Sequence, residues 1–219
     1  MLHGYLSCKE TFAAQVEYFS RFFKVTALDM LGFGQCPSLT SAFSVEDYAA
    51  WTEERLADLG VVFPHVIAHS FGVRVAVKMA KRRGQVFDKM LLTGPAGIIL
   101  PRGAAYKMKV RAYRFVKKFA PRFAEKRFGS AEYKTLSPVM RESYKKIVNE
   151  DLRDCAKEVQ NKVLIVQGED DRVTTLREAE IYLESFPNAE LKMMKGGHFA
   201  FAENPVLFNL IAEEFFLYG

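Results

Sequence analysis

Short runs of aliphatic and β-branched residues alternate with longer amphipathic segments along most of the chain, and this alternation limits the possible folds more than any other sequence feature. Such runs, each followed by a helical segment, are typical of βαβ units, in which a helix connects two parallel strands. The sequence therefore predicts an α/β fold with a mostly parallel central sheet flanked by helices.

Five strands and five helices are predicted around this sheet. The strands are Phe23–Leu28, His65–Ala68, Lys89–Thr93, Val163–Val166 and Glu190–Met194. The helices run from Glu10 to Arg21, from Ser44 to Leu59, from Val73 to Lys81, from Thr174 or Thr175 to Ser185, and from Pro205 to Leu217. Ser44 is expected to cap its helix, because Asp47 lies at the spacing of a capping box.

Residues 98–157 interrupt the alternation with a helical, aromatic and basic pattern. They are predicted to form a helical lid inserted between two parts of one core domain, residues 1–97 and 158–219. Ten basic residues and one acidic residue lie between Arg102 and Arg127, so this stretch carries +9 and the rest −4, against +5 for the chain. A nucleic-acid partner is disfavoured, because the basicity belongs to the insertion alone and no recognition motif is present.

The basic lid segment, residues 102–118, leaves three interpretations open. Its apolar residues have helical spacing and would pack on the core while the charges stay solvated. Alternatively, its Lys and Arg side chains favour an anionic substrate at the mouth of a pocket. A third interpretation is attachment to an acidic membrane surface.

The composition excludes several other classes of protein. With 219 residues, 49% of them hydrophobic, the chain can bury the core of one ordinary domain. No apolar run approaches the ~18 residues of a membrane span, and the first residues lack a secretory signal, so a cytoplasmic location without stable membrane insertion is expected. Cys8, Cys36 and Cys155 are interpreted as free thiols, and no metal or cofactor is predicted.

The strongest motif is Ala68-His69-Ser70-Phe71-Gly72, a variant of G-x-S-x-G between a predicted strand and a predicted helix. A serine at such a sharp turn exposes its hydroxyl, and the amide of Phe71 points to where an oxyanion would form. Ser70 is the candidate nucleophile, although serine also commonly caps helices without a catalytic role. A glycine turn at His3-Gly4 makes the amide of Tyr5 the candidate second oxyanion donor.

A base and an acid follow Ser70 in the order that this motif requires. His198 is the only histidine after Ser70 in the sequence, and two glycines precede it in a loop behind a predicted strand. The acid would accept a hydrogen bond from the second imidazole N–H, and three carboxylates compete for this role after the strand at Val163–Val166. They are Glu169, Asp170 and Asp171.

Together these motifs resemble the α/β-hydrolase superfamily over nearly the whole chain. The matching segments are His3-Gly4-Tyr5 (oxyanion loop), Asp29 to Cys36 (D-x-x-G-x-G-x-S, with Cys36 in place of serine), Ala68 to Gly72 (nucleophile elbow), Gly168 to Asp171 (G-x-x-D acid loop) and Gly197-His198-Phe199 (histidine loop). The resemblance implies that the acid is Asp171, three residues after the glycine, and that His69 is not catalytic.

The resemblance implies a serine hydrolase that acts on a small ester, thioester or related acyl substrate through an acyl-serine intermediate, without a cofactor. A carbon–carbon bond hydrolase or lyase with the same triad is an alternative. A non-catalytic ligand receptor on the same scaffold is another, because function resides in the site and not in the fold. The sequence does not separate these functions.

The N-terminus departs from the family pattern. Only Met1 and Leu2 precede His3-Gly4, where the family has a full apolar strand that itself follows a hairpin of two more strands. In the family that strand lies between the strands predicted here at Phe23–Leu28 and His65–Ala68. N-terminal strands are therefore expected to be missing, and the natural gene product is expected to extend upstream by about 20–30 residues.

Overall fold

The computed structural model describes residues 1–84, 86–101 and 136–219. Within these residues the sheet has four strands, paired in parallel in the order β1-β2-β3-β4. They are β1 (Val66–His69), β2 (Lys89–Thr93), β3 (Lys162–Gly168) and β4 (Ala189–Met194). The predicted α/β fold, with a mostly parallel sheet flanked by helices, is confirmed.

Helices precede, connect and follow the strands. In the described part of the chain they are α1 (Ala13–Phe19), α2 (Val45–Asp58), α3 (Phe71–Arg83), α4 (Pro138–Val148), α5 (Arg153–Glu158), α6 (Leu176–Ser185), α7 (Ala200–Glu203) and α8 (Pro205–Glu213). A 3₁₀ turn at Lys9–Phe12 precedes α1, and a π-helical turn at Glu214–Tyr218 follows α8. No helix in these described ranges is long and apolar enough to cross a membrane.

The start of α2 has the predicted capping box. The Ser44 hydroxyl accepts a hydrogen bond from the Asp47 amide at 3.2 Å, and the Asp47 carboxylate accepts one from the Ser44 amide at 2.7 Å. These bonds satisfy two amides that the first helical turn leaves without partners. The helix therefore begins where the sequence predicts.

Both faces of the sheet are covered by apolar side chains, as parallel strands require. On one face, residues of α2, α3, α5 and α6 form a core cluster with Met90 and Leu92 of β2. On the other, residues of α1, α7 and α8 form a second cluster with Leu91 of β2 and Leu164 of β3. Successive residues of β2 thus point to opposite clusters, and the carboxyl ends of the strands are left free to build a site.

The strand predicted at Phe23–Leu28 is wrong. In this fully described segment, Leu28 alone pairs, through one bridge to Leu2, which also bridges Ala68 of β1. The residue pattern of the segment is typical of a strand. A strand, however, needs a paired strand of similar length beside it, and here only Leu2 pairs with the segment.

An apolar groove with a volume of about 330 Å³ lies between residues 23–28 and the start of β1, away from Ser70. The upstream extension stays a prediction.

Part of the predicted lid lies within the described residues. Of residues 98–157, the structure describes 98–101 and 136–157, which include α4 and most of α5. The basic segment at residues 102–118 lies outside the described residues, so its three interpretations stay predictions. The division into core and lid also stays a prediction.

A buried arginine connects α3 to the end of α4. The Arg74 guanidinium donates hydrogen bonds to the carbonyls of Ile147 and Glu150, each at 2.8 Å. The last carbonyls of a helix have no intrahelical donors, and a cationic side chain stabilises them. Arg74 therefore fixes the C-terminal end of α4 to α3, the helix that follows β1.

Asp29 organises the loop that leads to α2. Its carboxylate accepts hydrogen bonds from the Lys9 amide and the Lys9 ammonium, both at 2.8 Å, and from the Gln35 amide at 3.0 Å. Burial would raise the pKa of this carboxyl, but these bonds outweigh burial and lower it. Gly34, at φ +53°, lies so close that a side chain would overlap the carboxylate. Cys36, in the position where serine is usual, donates from Sγ to the Asp29 carbonyl at 3.1 Å.

We expect Asp29→Asn to lower the free energy of unfolding by about 1–3 kcal/mol, because the new amide nitrogen would face other donors. Urea denaturation measures this loss. Asp58→Asn is a matched control, because Asp58 forms an exposed ion pair with Arg55 at 2.6 Å, and we expect it to change stability by less than about 0.5 kcal/mol. A loss in Asp29→Asn no larger than in the control would contradict the structural role of this carboxylate.

Candidate active site

Ser70 lies at the turn between β1 and α3, with φ 50° and ψ −107°, a backbone conformation that L-residues rarely adopt. Its amide donates to the Thr93 carbonyl at 3.1 Å, and its carbonyl accepts from the Val73 amide at 3.0 Å. At Gly72, the backbone of Leu2 leaves no room for a side chain. These contacts hold the half-buried Ser70 at the tip of a sharp strand–turn–helix connection.

Asp171 and His198 come together at the carboxyl ends of β3 and β4. His198 Nδ1 lies 2.8 Å from Asp171 Oδ2. The Asp171 side chain is buried, whereas Glu169 and Asp170 on the same loop are exposed. Of the three competing carboxylates, the structure places Asp171 against His198.

The environment of Asp171 keeps its carboxyl ionised. Burial would raise the pKa, but hydrogen bonds from His198 and from the amides of Thr174 and Val173 outweigh burial and lower the pKa to about 2. A charged carboxylate at 2.8 Å requires a proton on His198 Nδ1. The Nε2 atom of the neutral imidazole is therefore the basic one.

Ser70 and His198 both lie beside the end of β2. The Ser70 amide bonds to Thr93, and a methyl group at the next residue, Gly94, would lie 3.1 Å from His198 Nδ1. Within the described residues the Ser70 hydroxyl forms no hydrogen bond. In enzymes without bound substrate, the hydrogen bond between a catalytic hydroxyl and its base is commonly long or absent. The structure thus brings Asp171 and His198 into contact and places Ser70 near them, with no described residue bonded to its hydroxyl.

His69 packs against His198 and bonds to its backbone. Its ring lies 4.7 Å from the His198 ring, and its Nε2 is 2.9 Å from the His198 carbonyl. Burial, more than any other cause, lowers the pKa of His69 to about 3. The ring is therefore neutral and donates from Nε2, because a carbonyl can only accept. The sequence analysis missed this contact, which joins residues 129 positions apart.

The two predicted oxyanion donors flank Ser70. The Met30 amide donates to His3 Nε2 at 3.0 Å, so the His3 proton is on Nδ1, which donates to the Gly4 carbonyl at 2.7 Å. In a trans peptide the N–H points opposite to the C=O, so the amide of Tyr5 is turned away from His3. Neither this amide nor that of Phe71 has an acceptor among the described residues. Gly4 lies beside Ser70, as a methyl group on it would be 3.5 Å from Ser70 Cβ.

An aromatic cluster adjoins this loop. The Tyr5 ring lies 4.9 Å from Phe33, 5.5 Å from Phe71 and 5.3 Å from Tyr144 of α4, between ring centroids. The Tyr5 hydroxyl donates to the Met140 carbonyl at 3.2 Å, and burial raises the pKa of this phenol. The side chain is therefore neutral and links the loop at residues 3–5 to α4. Sequence reasoning missed this link, because it assigned a role to the Tyr5 backbone alone.

This arrangement agrees with the sequence comparison. The group described as the Alpha/beta hydrolase family matches residues 1–209, which is most of the chain. The chain belongs to the alpha/beta hydrolase family. The resemblance inferred from the five motifs is thereby confirmed.

The individual proteins that resemble this alpha/beta hydrolase have low sequence identity to it. The probable lysophospholipase BODYGUARD 3 of Arabidopsis thaliana is 30% identical over 127 residues, which cover 55% of this chain and only 25% of the plant protein. Among solved structures, an esterase from Exiguobacterium antarcticum matches with 20% identity and a TM-score of 0.77, covering 98% of this chain and 90% of its own. A meta-cleavage product hydrolase from Pseudomonas fluorescens IP01 matches with 21% identity and a TM-score of 0.74, covering 98% and 88%. At such identities these structures show the fold alone.

Proposed function

We propose that this alpha/beta hydrolase is a serine hydrolase that cleaves a small ester, thioester or related acyl substrate through an acyl-serine intermediate. The observation that carries the proposal is the placement of Ser70, at φ 50° on a sharp turn, beside His198, whose Nδ1 lies 2.8 Å from the buried Asp171 carboxylate. Nucleophile, base and acid come from three different strand ends. This is the order and arrangement that acyl transfer by a serine needs.

Acylation uses each of these groups in a defined role. Ser70 Oγ attacks the acyl carbon while His198 Nε2 takes the hydroxyl proton, and Asp171 stabilises the imidazolium through Nδ1. The negative charge that develops on the acyl oxygen is bound by the amides of Tyr5 and Phe71, and the N-terminus of α3 adds a favourable partial charge. The leaving group departs with the proton from His198, and the acyl group stays on Ser70.

Deacylation repeats the same steps with water as the nucleophile. His198 takes a proton from water, which attacks the acyl-serine, and the proton returns to Ser70 Oγ as the acid product leaves. Described side chains beside the oxyanion loop are mainly aromatic, including Tyr5 and Phe33. We infer that the half-buried Tyr5 ring favours an apolar acyl group, since apolar surfaces stabilise apolar ligands by excluding water.

Two measurements test the proposal together. A fluorophosphonate probe is expected to label the intact protein once, on the peptide that contains Ser70, because the hydroxyl displaces fluoride when His198 accepts its proton. Nitrophenyl esters of increasing acyl length, with acyl-thioesters alongside, are expected to show turnover that rises from acetyl to longer acyl groups. Ser20→Ala is a matched control, because the Ser20 hydroxyl bonds to the Val16 carbonyl on the surface of α1.

The alternatives predict different outcomes of the same experiment. A receptor on this scaffold would show neither labelling nor turnover. A carbon–carbon bond hydrolase would be labelled on Ser70 but would hydrolyse no ester of the series at a useful rate. Labelling at a residue other than Ser70 would contradict the proposed mechanism itself.

A further inference from the structure

We propose that Thr174 is a positioning residue that holds the Asp171 carboxylate and sets how strongly it supports the His198 base. The inference rests on the proposed function, because it assigns a role within the same triad. Thr174 lies between β3 and α6 and is 4% exposed. Its amide and hydroxyl both donate to the Asp171 carboxylate, so it would act through Asp171.

Thr174 binds both oxygens of the Asp171 carboxylate. Its amide donates to Oδ1 at 3.0 Å, and its hydroxyl donates to Oδ2 at 2.9 Å. Oδ2 is also the atom that accepts from His198 Nδ1 at 2.8 Å. The Thr174 hydroxyl and the His198 imidazole therefore share one carboxylate oxygen, and Thr174 Oγ1 lies 3.3 Å from His198 Nδ1.

Thr174 is itself held in place by a hydrogen bond from β3. Gln167, fully buried near the end of β3, donates from Nε2 to the Thr174 carbonyl at 2.8 Å. The Val173 amide donates to Asp171 Oδ1 at 2.8 Å, so the loop bends around the carboxylate. A side chain fixed by buried hydrogen bonds on a rigid strand end keeps its partner in one orientation.

The sharing of Oδ2 has an electrostatic consequence. A hydroxyl that donates to a carboxylate withdraws part of its charge, which leaves less to stabilise a proton on His198. Without the hydroxyl, Asp171 would hold the imidazolium more strongly, so the acid limb of the activity profile would move to higher pH. The carboxylate would also be less well oriented, so proton transfer from Ser70 would slow.

Other titratable groups near His198 do not account for such an effect. His69 contacts the His198 ring, but its pKa of about 3 keeps it neutral in the working range. Glu203 of α7 binds the amide of Gly197, next to His198, and Thr174 does not contact it. A shift caused by loss of the Thr174 hydroxyl would therefore be transmitted through Asp171.

The test compares Thr174→Val, which keeps the shape without the hydroxyl, with Thr174→Ser, which keeps the hydroxyl. In Thr174→Val, kcat is expected to fall about 10-fold with KM unchanged, and the acid limb of the kcat/KM profile to move up by about half a pH unit. Thr174→Ser is expected to restore both. Thr175→Val is the matched control, because the Thr175 hydroxyl bonds to Glu178 in a capping box and not to Asp171.

Three results would decide against the proposal. An acid limb at the wild-type pH in Thr174→Val, or a matching shift in Thr175→Val, would overturn it. Thr174→Ala serves as a second variant without the hydroxyl if Thr174→Val does not fold, and an unshifted limb there would also overturn it. Ser70→Ala distinguishes failure of the proposed function from failure of the Thr174 inference. An active Ser70→Ala protein would refute the proposed function. If Ser70→Ala is inactive and the acid limb of Thr174→Val is unshifted, the Thr174 inference alone is refuted.

Discussion

Ser70→Ala is expected to reduce kcat for ester hydrolysis by about 10⁴-fold, because the substitution removes the atom that forms the acyl intermediate. The change deletes one oxygen atom, and alanine at this position has the same backbone conformation to satisfy as serine. The melting temperature is therefore expected to stay close to that of the wild type. Initial rates on a nitrophenyl ester, with thermal unfolding of the same preparations, measure both effects.

His198→Ala should lose about as much activity, since nucleophile and base act as one unit. The double variant should be no worse than either single one, because the first substitution already disables the pair. Ser20→Ala is the control for loss of a serine hydroxyl elsewhere. Retention of more than a tenth of the activity in a clean Ser70→Ala preparation would defeat the mechanism.

Asp171→Asn is expected to lower kcat by about 10⁴-fold, because an amide in place of the carboxylate favours the wrong imidazole tautomer and cannot stabilise the imidazolium. Asp170→Asn is the matched control one residue away, and its exposed side chain makes little difference to the site. We expect it to retain most of the wild-type activity. Steady-state kinetics on the same ester compares the two variants.

Equal losses in the two variants, or a larger loss in Asp170→Asn, would show that Asp171 is not the acid. Circular dichroism of both variants separates this outcome from misfolding. The distinction matters for Asp171 because Thr174 and Val173 also bond to its carboxylate, and the Asn variant disturbs the loop as well as the imidazole.

The sequence predicted elements whose pattern is local. Strands at Lys89–Thr93 and Val163–Val166 appear where expected because both faces are buried, which produces uninterrupted apolar runs. The capping box at Ser44 could be predicted because all its atoms lie within one helical turn. Local hydrogen bonds and burial patterns depend on residues that are close in the sequence, so these elements can be predicted without knowledge of the fold.

Pairing between distant segments could not be predicted in the same way. Residues 23–28 have a strand pattern, yet their pairing depends on whether a partner of sufficient length lies beside them, and Leu2 offers a single residue. The helix expected from Glu10 begins instead as a 3₁₀ turn, and α1 ends at Phe19. Element ends are set by tertiary contacts that local propensity does not describe.

The candidate site likewise contains residues that local motifs predict and residues that only distant contacts identify. Ser70 and His198 were accessible because each lies in a short motif, whereas the choice of Asp171 among three neighbouring carboxylates relied on the family pattern. Burial and the contact with His198 then distinguish Asp171 in the structure. The hydrogen bonds from Arg74 of α3 to the end of α4 were not predicted, because the two partner carbonyls lie more than seventy positions away.

If Ser70 is the nucleophile, its backbone conformation makes catalytic activity and thermal stability compete at one position. At φ 50° glycine would be relaxed, whereas any L-side chain is strained by about 1–3 kcal/mol. A chain selected only for stability would have glycine at the tip of this turn, and a ligand receptor would have no use for a strained hydroxyl there. Under the proposed mechanism, Ser70→Gly would therefore stabilise the fold and abolish the activity.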